Sequence, residues 1–243
     1  MSDTHRRLYL WLSATTSAVV LLGFSFTYFG PIVRGEYPAV SPTVHVHGWT
    51  FFLWYLLLPV QAGLIATRRV ALHRTLGVCS VALAVAMVGT GLVVVGTQME
   101  LARQPDASPF WQAMGPAIFI TLVLFVVFFA LAWHFRRQRE LHKRFILLAS
   151  TGALGAAAFR VVGRVIGFSA TASAVGILAP NLIVVAAMLF EWRRGEGLHR
   201  VYRVGLPASF LLEASTLLLT PTAAGRALAE SLAWIGRLVA PLY

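Results

Sequence analysis

The chain alternates long apolar stretches with short polar turns. Seven stretches approach the roughly 20 residues that a membrane-crossing helix needs: 8–30, 44–67, 74–98, 113–135, 144–168, 171–192 and 201–222. The connections are short except for the polar segment 99–112, which contains Pro105 and Pro109. The pattern predicts an all-α polytopic membrane bundle of seven transmembrane helices. It is a single domain over 1–243, with no room for a soluble domain. The first stretch follows Arg6 and Arg7 and imitates a signal peptide, but it exceeds the roughly 7–15 apolar residues of such signals. It is read as a retained helix. The tail 226–243 reads as a short amphipathic helix lying on the outer surface.

The turns carry a second pattern. Leu-His followed by a base recurs at Leu72-His73-Arg74, Leu141-His142-Lys143 and Leu198-His199-Arg200, each time a few residues after an arginine pair. Together with Arg6 and Arg7, these alternate connections hold 14 of the 20 basic residues. The positive-inside rule puts them in the cytoplasm, so the N-terminus is inside and the C-terminus outside. One leading helix is then followed by three hairpins, each folded about a basic inner turn.

Composition agrees. Hydrophobic residues make up 58% and charged residues 12% of the 243 residues, against about 25% charged in soluble domains. The net charge of +11 belongs to the turns and to anionic lipid headgroups there. No basic patch interleaved with aromatics points to nucleic acid. The one cysteine, Cys79, excludes an internal disulfide and any cysteine-based metal cluster.

Helix rise supplies a depth gauge. Arg160 lies about 27 Å above His142, near the outer boundary, with Arg164 one turn further out. Counted from Arg68, His47 and His45 lie about 31 and 34 Å up. Two histidines and two arginines therefore share a level. Arg160 and Arg164, four apart, share a helix face and can clamp an anionic group. Deeper lie Glu213, whose expected charge partners are Arg160 and Arg164, then Asn181, beside Pro180, and then Gln61. Small residues in "STGALGAAAF" and Gly163-x-x-x-Gly167 favour close helix packing and a central place for the fifth span. His45-x-His47 is a candidate metal pair, although residues two apart diverge on a helix. His73, His142 and His199, with His134 as a fourth, are candidate haem or metal ligands, against helix-start capping or lipid contact.

The stretch "HVHGWTFFLWYLLLPVQAGLIATRRVALHRTLG" followed by "HKRFILLASTGALGAAAFR" resembles an uncharacterised bacterial family of multi-pass membrane proteins. The resemblance covers roughly 44–165 and implies His45 or His47, Gln61, His73, Gly77, His142 and Arg160 as family-like positions. It implies a fold and no reaction.

Three functions are open at this point. The first is a transporter or sensor of the cytoplasmic membrane. It would hold a small anionic or protonatable ligand in an outward-facing pocket of His45, His47, Arg160, Arg164, Asn181, Glu213 and Gln61. The second is a redox protein carrying haem b or acting on quinone. The third is a structural or assembly subunit. No nucleophile–base pair, phosphate loop or zinc-protease motif is present, so soluble-type enzyme chemistry is not expected.

Overall fold

The structure, a computed structural model, describes residues 3–104 and 109–243. Pro105, within the long polar connection, lies outside them. The described residues form α-helices and no strands: α1 (Asp3–Phe24), α2 (Gly30–Val33), α3 (Pro42–Ala66), α4 (Val70–Leu101), α5 (Pro109–His134), α6 (Arg139–Gly152), α7 (Gly155–Ile166), α8 (Ala170–Leu178), α9 (Asn181–Arg193), α10 (Arg200–Leu219) and α11 (Ala223–Val239). A π-helical turn, Ser25–Phe29, joins α1 to α2 without a break.

Five helical segments are each long and apolar enough to cross a membrane: Thr4–Val33, Pro42–Ala66, Val70–Leu101, Met114–His134 and Ala170–Arg193. Two bent pairs, α6 with α7 (49°) and α10 with α11 (96°), raise the number to seven if each is one span. The chain is thus an all-α polytopic bundle, as the apolar pattern predicts. Consecutive helices α3 and α4, α5 and α6, and α9 and α10 pack as hairpins after the leading helix.

Local chemistry sets the boundaries. Ser41 caps α3 by accepting from the Thr43 amide at 3.2 Å, with Pro42 in the first turn. Ser169 and Thr222 cap α8 and α11 in the same way. The first and third basic turns close identically. Arg69 N–H reaches Leu64 O at 2.8 Å and Arg68 N–H reaches Ile65 O at 3.2 Å. Glu196 N–H reaches Glu191 O at 3.2 Å and Gly195 N–H reaches Trp192 O at 2.9 Å. Both are Schellman closures, which need a left-handed residue just after the helix. Gly195 serves at φ +74, and Arg68 serves at φ +61.

The fifth expected span is not one helix. It breaks at Ala153–Leu154, between Gly152 and Gly155, which weaken the helix locally. The break lets α7 lie against α1 and α8. A Cβ on Gly23 would stand 2.5 Å from Ala157 O, and one on Gly176 would stand 2.3 Å from Phe159 Cα. The run Leu147–Gly155 is buried, so this span is central as expected. Gly163-x-x-x-Gly167 is not a helix seam. Gly167, at φ +86, ends α7, and Gly163 lies under the Phe168 ring.

The main core gathers Phe52, Tyr55, Met87, Phe125, Leu148 and Tyr202. Ser17 donates to Tyr55 O at 2.5 Å, and the Tyr55 hydroxyl donates to Ser150 O at 2.7 Å, tying α1, α3 and α6 together. A second cluster, Val95, Met99, Leu232 and Ala233, joins α4 to α11. There the backbones touch: a Cβ on Gly236 would lie 2.1 Å from Gly96 O. Arg237–Glu100 at 2.7 Å and the Arg103–Glu230 ion pair flank the contact. The tail is amphipathic and helical, but it packs on protein and begins at Ala223. The last residues return to the start of α3, where Ser41 and Thr43 hydroxyls donate to the carbonyls of Tyr243 and Leu242.

Candidate functional site

Polar side chains collect in separate places: both ends of the bundle and one buried pair between them. At the end away from the basic turns, the π turn sets the geometry. It holds the Tyr28 hydroxyl 2.8 Å from His45 Nδ1, and Thr27 Oγ1 accepts from Arg160 Nε at 3.0 Å. Arg160 also donates to Ala156 O at 2.7 Å, and its guanidinium lies 4.3 Å from the centre of the Phe24 ring. His47 pairs through Nδ1 with Thr90 Oγ1 at 3.3 Å. Arg160 is within electrostatic range of His47 and Tyr37. Tyr37 lies in the connection between α2 and α3, and burial pushes its hydroxyl above the ordinary value, with Arg160 opposing that rise.

Arg164 stands one turn further along α7, exposed, and lines an open cleft of about 340 Å³ with Ser25, Phe26, Thr27, Arg34 and Phe168. Arg34 is held by Glu36 at 2.6 Å. Among the described residues no carboxylate pairs with Arg160 or Arg164. His45, His47, Arg160 and Arg164 all lie at this end of the bundle. His45 and His47 turn to different partners, Tyr28 and Thr90, as residues two apart on a helix must. Among the described residues no group of three or more His, Cys, Asp or Glu gathers as a metal site.

Three expected members lie elsewhere. Glu213 does not meet Arg160 or Arg164. Its carboxylate, 2% exposed, accepts from Asn181 Nδ2 at 2.6 Å. Pro180 makes this pair possible. It separates α8 from α9, so Asn181 opens the new helix where its amide reaches both Leu178 O at 3.1 Å and α10. Depth along the bundle does not give adjacency: Glu213 is on α10 and Arg160 is on α7, and α8 packs against both. Gln61 is not in the pocket either. It lies near the basic end, with its amide nitrogen 2.7 Å from His73 Nδ1 and 3.2 Å from His73 O, and its amide oxygen 3.0 Å from Gly77 N.

The basic end holds a network that the turn pattern concealed. Arg144 Nη2 meets Glu191 Oε2 at 2.9 Å, and its Nη1 meets Glu140 Oε2 at 2.7 Å. The Tyr9 hydroxyl donates to Glu191 Oε1 at 3.2 Å and shares a hydrogen bond of 2.8 Å with Tyr202. Lys143 pairs with Glu140 at 2.6 Å, and His5 pairs with Glu196 at 2.8 Å. The network joins α1, α6, α9 and α10. In sequence, Arg144 is one of five bases in one turn. Glu191, a carboxylate in the last turn of an apolar helix facing such turns, was the available signal.

The three phrase histidines part ways. His199 caps α10, its Nδ1 accepting from Val201 N at 3.2 Å, which is the helix-start role. His73 and His142 face each other with ring centroids 6.4 Å apart. His142 Nδ1 lies 2.9 Å from Ala132 O, whereas His134 closes α5 against Phe135. No family model, curated protein or solved structure matches the chain.

Proposed function

We propose that this multi-pass protein binds a small anionic or protonatable molecule at the outer end of the bundle, as a transporter or sensor of the cytoplasmic membrane. One observation carries the reading. Arg160 is held by Thr27, Ala156 O and the face of Phe24, with no carboxylate partner among the described residues. An arginine that is held against neighbouring helices instead of snorkelling to the headgroups marks a place where something negative can meet it. Guanidinium presents a planar fork to carboxylate or phosphate. Arg164 and the adjoining cleft give such a group a route in. The basic turns at the opposite end support reading this end as the outer one, by the positive-inside rule. The core of the site is Arg160, Arg164, His45 and His47. Asn181 and Glu213 form a separate buried pair that joins α9 to α10. The family-like positions His45 or His47 and Arg160 fall in this outer group.

The test is thermal stabilisation of the purified protein by a panel of small carboxylates and phosphates, since a ligand that binds only the folded state raises its stability. Arg160→Ala is expected to fold and to lose the stabilisation. Stabilisation that survives the substitution unchanged defeats the clamp. Visible spectra of oxidised and dithionite-reduced protein separate the haem alternative, which requires a Soret band with sharpened α and β bands.

A further inference from the structure

The first two Leu-His-base phrases come together at the basic end. His73 on α4 and His142 on α6 are both half-buried, with ring planes 83° apart. No direct hydrogen bond joins the rings. What each unused nitrogen can do follows from the groups that hold the other one.

Gln61 decides His73. Its amide lies along the backbone of α4, between a carbonyl that only accepts, His73 O, and an N–H that only donates, Gly77 N. The amide nitrogen must therefore face His73 O and the oxygen must face Gly77. The second amide hydrogen then points at His73 Nδ1, at 2.7 Å. A ring nitrogen that accepts carries a lone pair, so the proton of neutral His73 sits on Nε2. Ala132 decides His142. Its carbonyl faces Nδ1 at 2.9 Å, so Nδ1 carries the proton and Nε2 carries the lone pair. The two imidazoles hold opposite tautomers. One free nitrogen donates and the other accepts.

The geometry points to a binding site between His73 and His142 for a neutral hydroxyl compound, a phenol or an alcohol. Its oxygen accepts from His73 Nε2–H, and its O–H donates to His142 Nε2. Two hydrogen bonds of about 2.8 Å meeting at one oxygen fill the space between rings set this far apart. The pairing selects by chemistry. A carboxylate has no proton for His142. An ammonium has no lone pair for His73. A divalent cation needs two lone pairs and finds one. This site is independent of the arginine cleft at the opposite end.

The experiment uses the full protein in lipid bilayers, labelled with 15N-histidine, above the pH at which histidines titrate. Nitrogen chemical shifts report which ring atom carries the proton. His73 is expected to be protonated on Nε2 and His142 on Nδ1. Phenol is expected to shift both, and anisole, which lacks the O–H, to bind about tenfold more weakly because His142 Nε2 is left unpaired. A shared tautomer, phenol that shifts neither ring, or anisole binding as well as phenol overturns the proposal. Gln61→Glu supplies a second arm. A carboxylate only accepts, so it draws the His73 proton to Nδ1 and leaves two lone pairs facing each other. Phenol binding is then expected to fall about tenfold and Zn2+ to bind the pair, as ligating histidines held by a carboxylate do. Undiminished phenol binding by that variant overturns the proposal as well. The tautomer measurement on the unaltered protein stands whether or not the variant folds.

Discussion

Arg144 and Glu191 meet at 2.9 Å with side-chain exposures of 4% and 1%, so a full ion pair is enclosed where the turns are otherwise solvated. Taking two charges out of water costs several kcal/mol each, and only good geometry with further hydrogen bonds offsets it. Both conditions hold, because Tyr9 and Glu140 complete the partners. Breaking the pair from one side is costly. Glu191→Ala is expected to lower stability by about 3–5 kcal/mol, since it strands a buried guanidinium. The double variant Arg144→Met, Glu191→Leu should recover most of that. Denaturant titration in detergent measures both. A double variant as unstable as Glu191→Ala would show that the charges are not what the site requires.

The contact of Gly96 with Gly236 leaves no room for a methyl group. Gly236→Ala would press a carbon to 2.1 Å from Gly96 O, and that atom is backbone. Such overpacking typically costs about 1–3 kcal/mol. The expected outcome is release of α11 from α4 with the remaining bundle intact. Limited proteolysis reads it directly, as faster cleavage within 223–243. Unchanged protection of the tail would rule out a backbone-to-backbone seam.

His199 gives the chain a titrating helix cap. Burial, and next the charge of Arg144, hold its imidazole below the ordinary value. The unfolded chain therefore takes up a proton at a higher pH than the folded one. The cap's contribution is complete above about pH 6.5 and is lost as pH falls through the lower folded value. A protonated ring also has no lone pair for Val201 N–H. His199→Asn keeps a capping acceptor without titrating. Its melting temperature should fall less than that of the natural chain between about pH 7.5 and 5.5. Parallel curves for the two proteins would deny His199 this role.

Arg68 occupies a left-handed position at φ +61 that its counterpart Gly195 fills without strain. A side chain there costs about 1–2 kcal/mol, partly offset because glycine loosens the unfolded chain. Arg68→Gly is expected to stabilise the protein by up to about 1 kcal/mol. A less stable variant would mean that the Arg68 side chain makes a contact worth more than the strain.

The spans and hairpins were legible because the bilayer asks for length and apolarity, and both are written residue by residue. Counting rise per residue also puts Arg160, His45 and His47 at one end of the bundle, and they lie on helices that adjoin α1. The same count misplaced Glu213, because height says nothing of which helices are neighbours. Gln61 does not belong with that group, for a simpler reason. Its depth of only about 10 Å above Arg68 already placed it near the basic turns. Arg144 was hidden by its company: a base in a basic turn looks like topology until a carboxylate is found against it. Tyr9 and Tyr202 carry no sequence signal that separates them from the aromatic residues of a membrane interface.

The π turn at Ser25–Phe29 has one further consequence. Along α1 from Leu12 onward the buried positions are Leu12, Thr16 with its neighbour Ser17, Val20 and Gly23, so the stripe steps by four, four and three, and the next is Tyr28, five residues on. A regular helix would bring position 27 to that face and carry Tyr28 about 100° away. The wider turn lets Tyr28 face His45 while Thr27 meets Arg160. Removing one residue between 25 and 29 would leave a segment still long and greasy enough to span, with that tyrosine and threonine out of phase with their partners. The distance between a plain anchor and a helix that carries chemistry is, in this chain, one beat in the count.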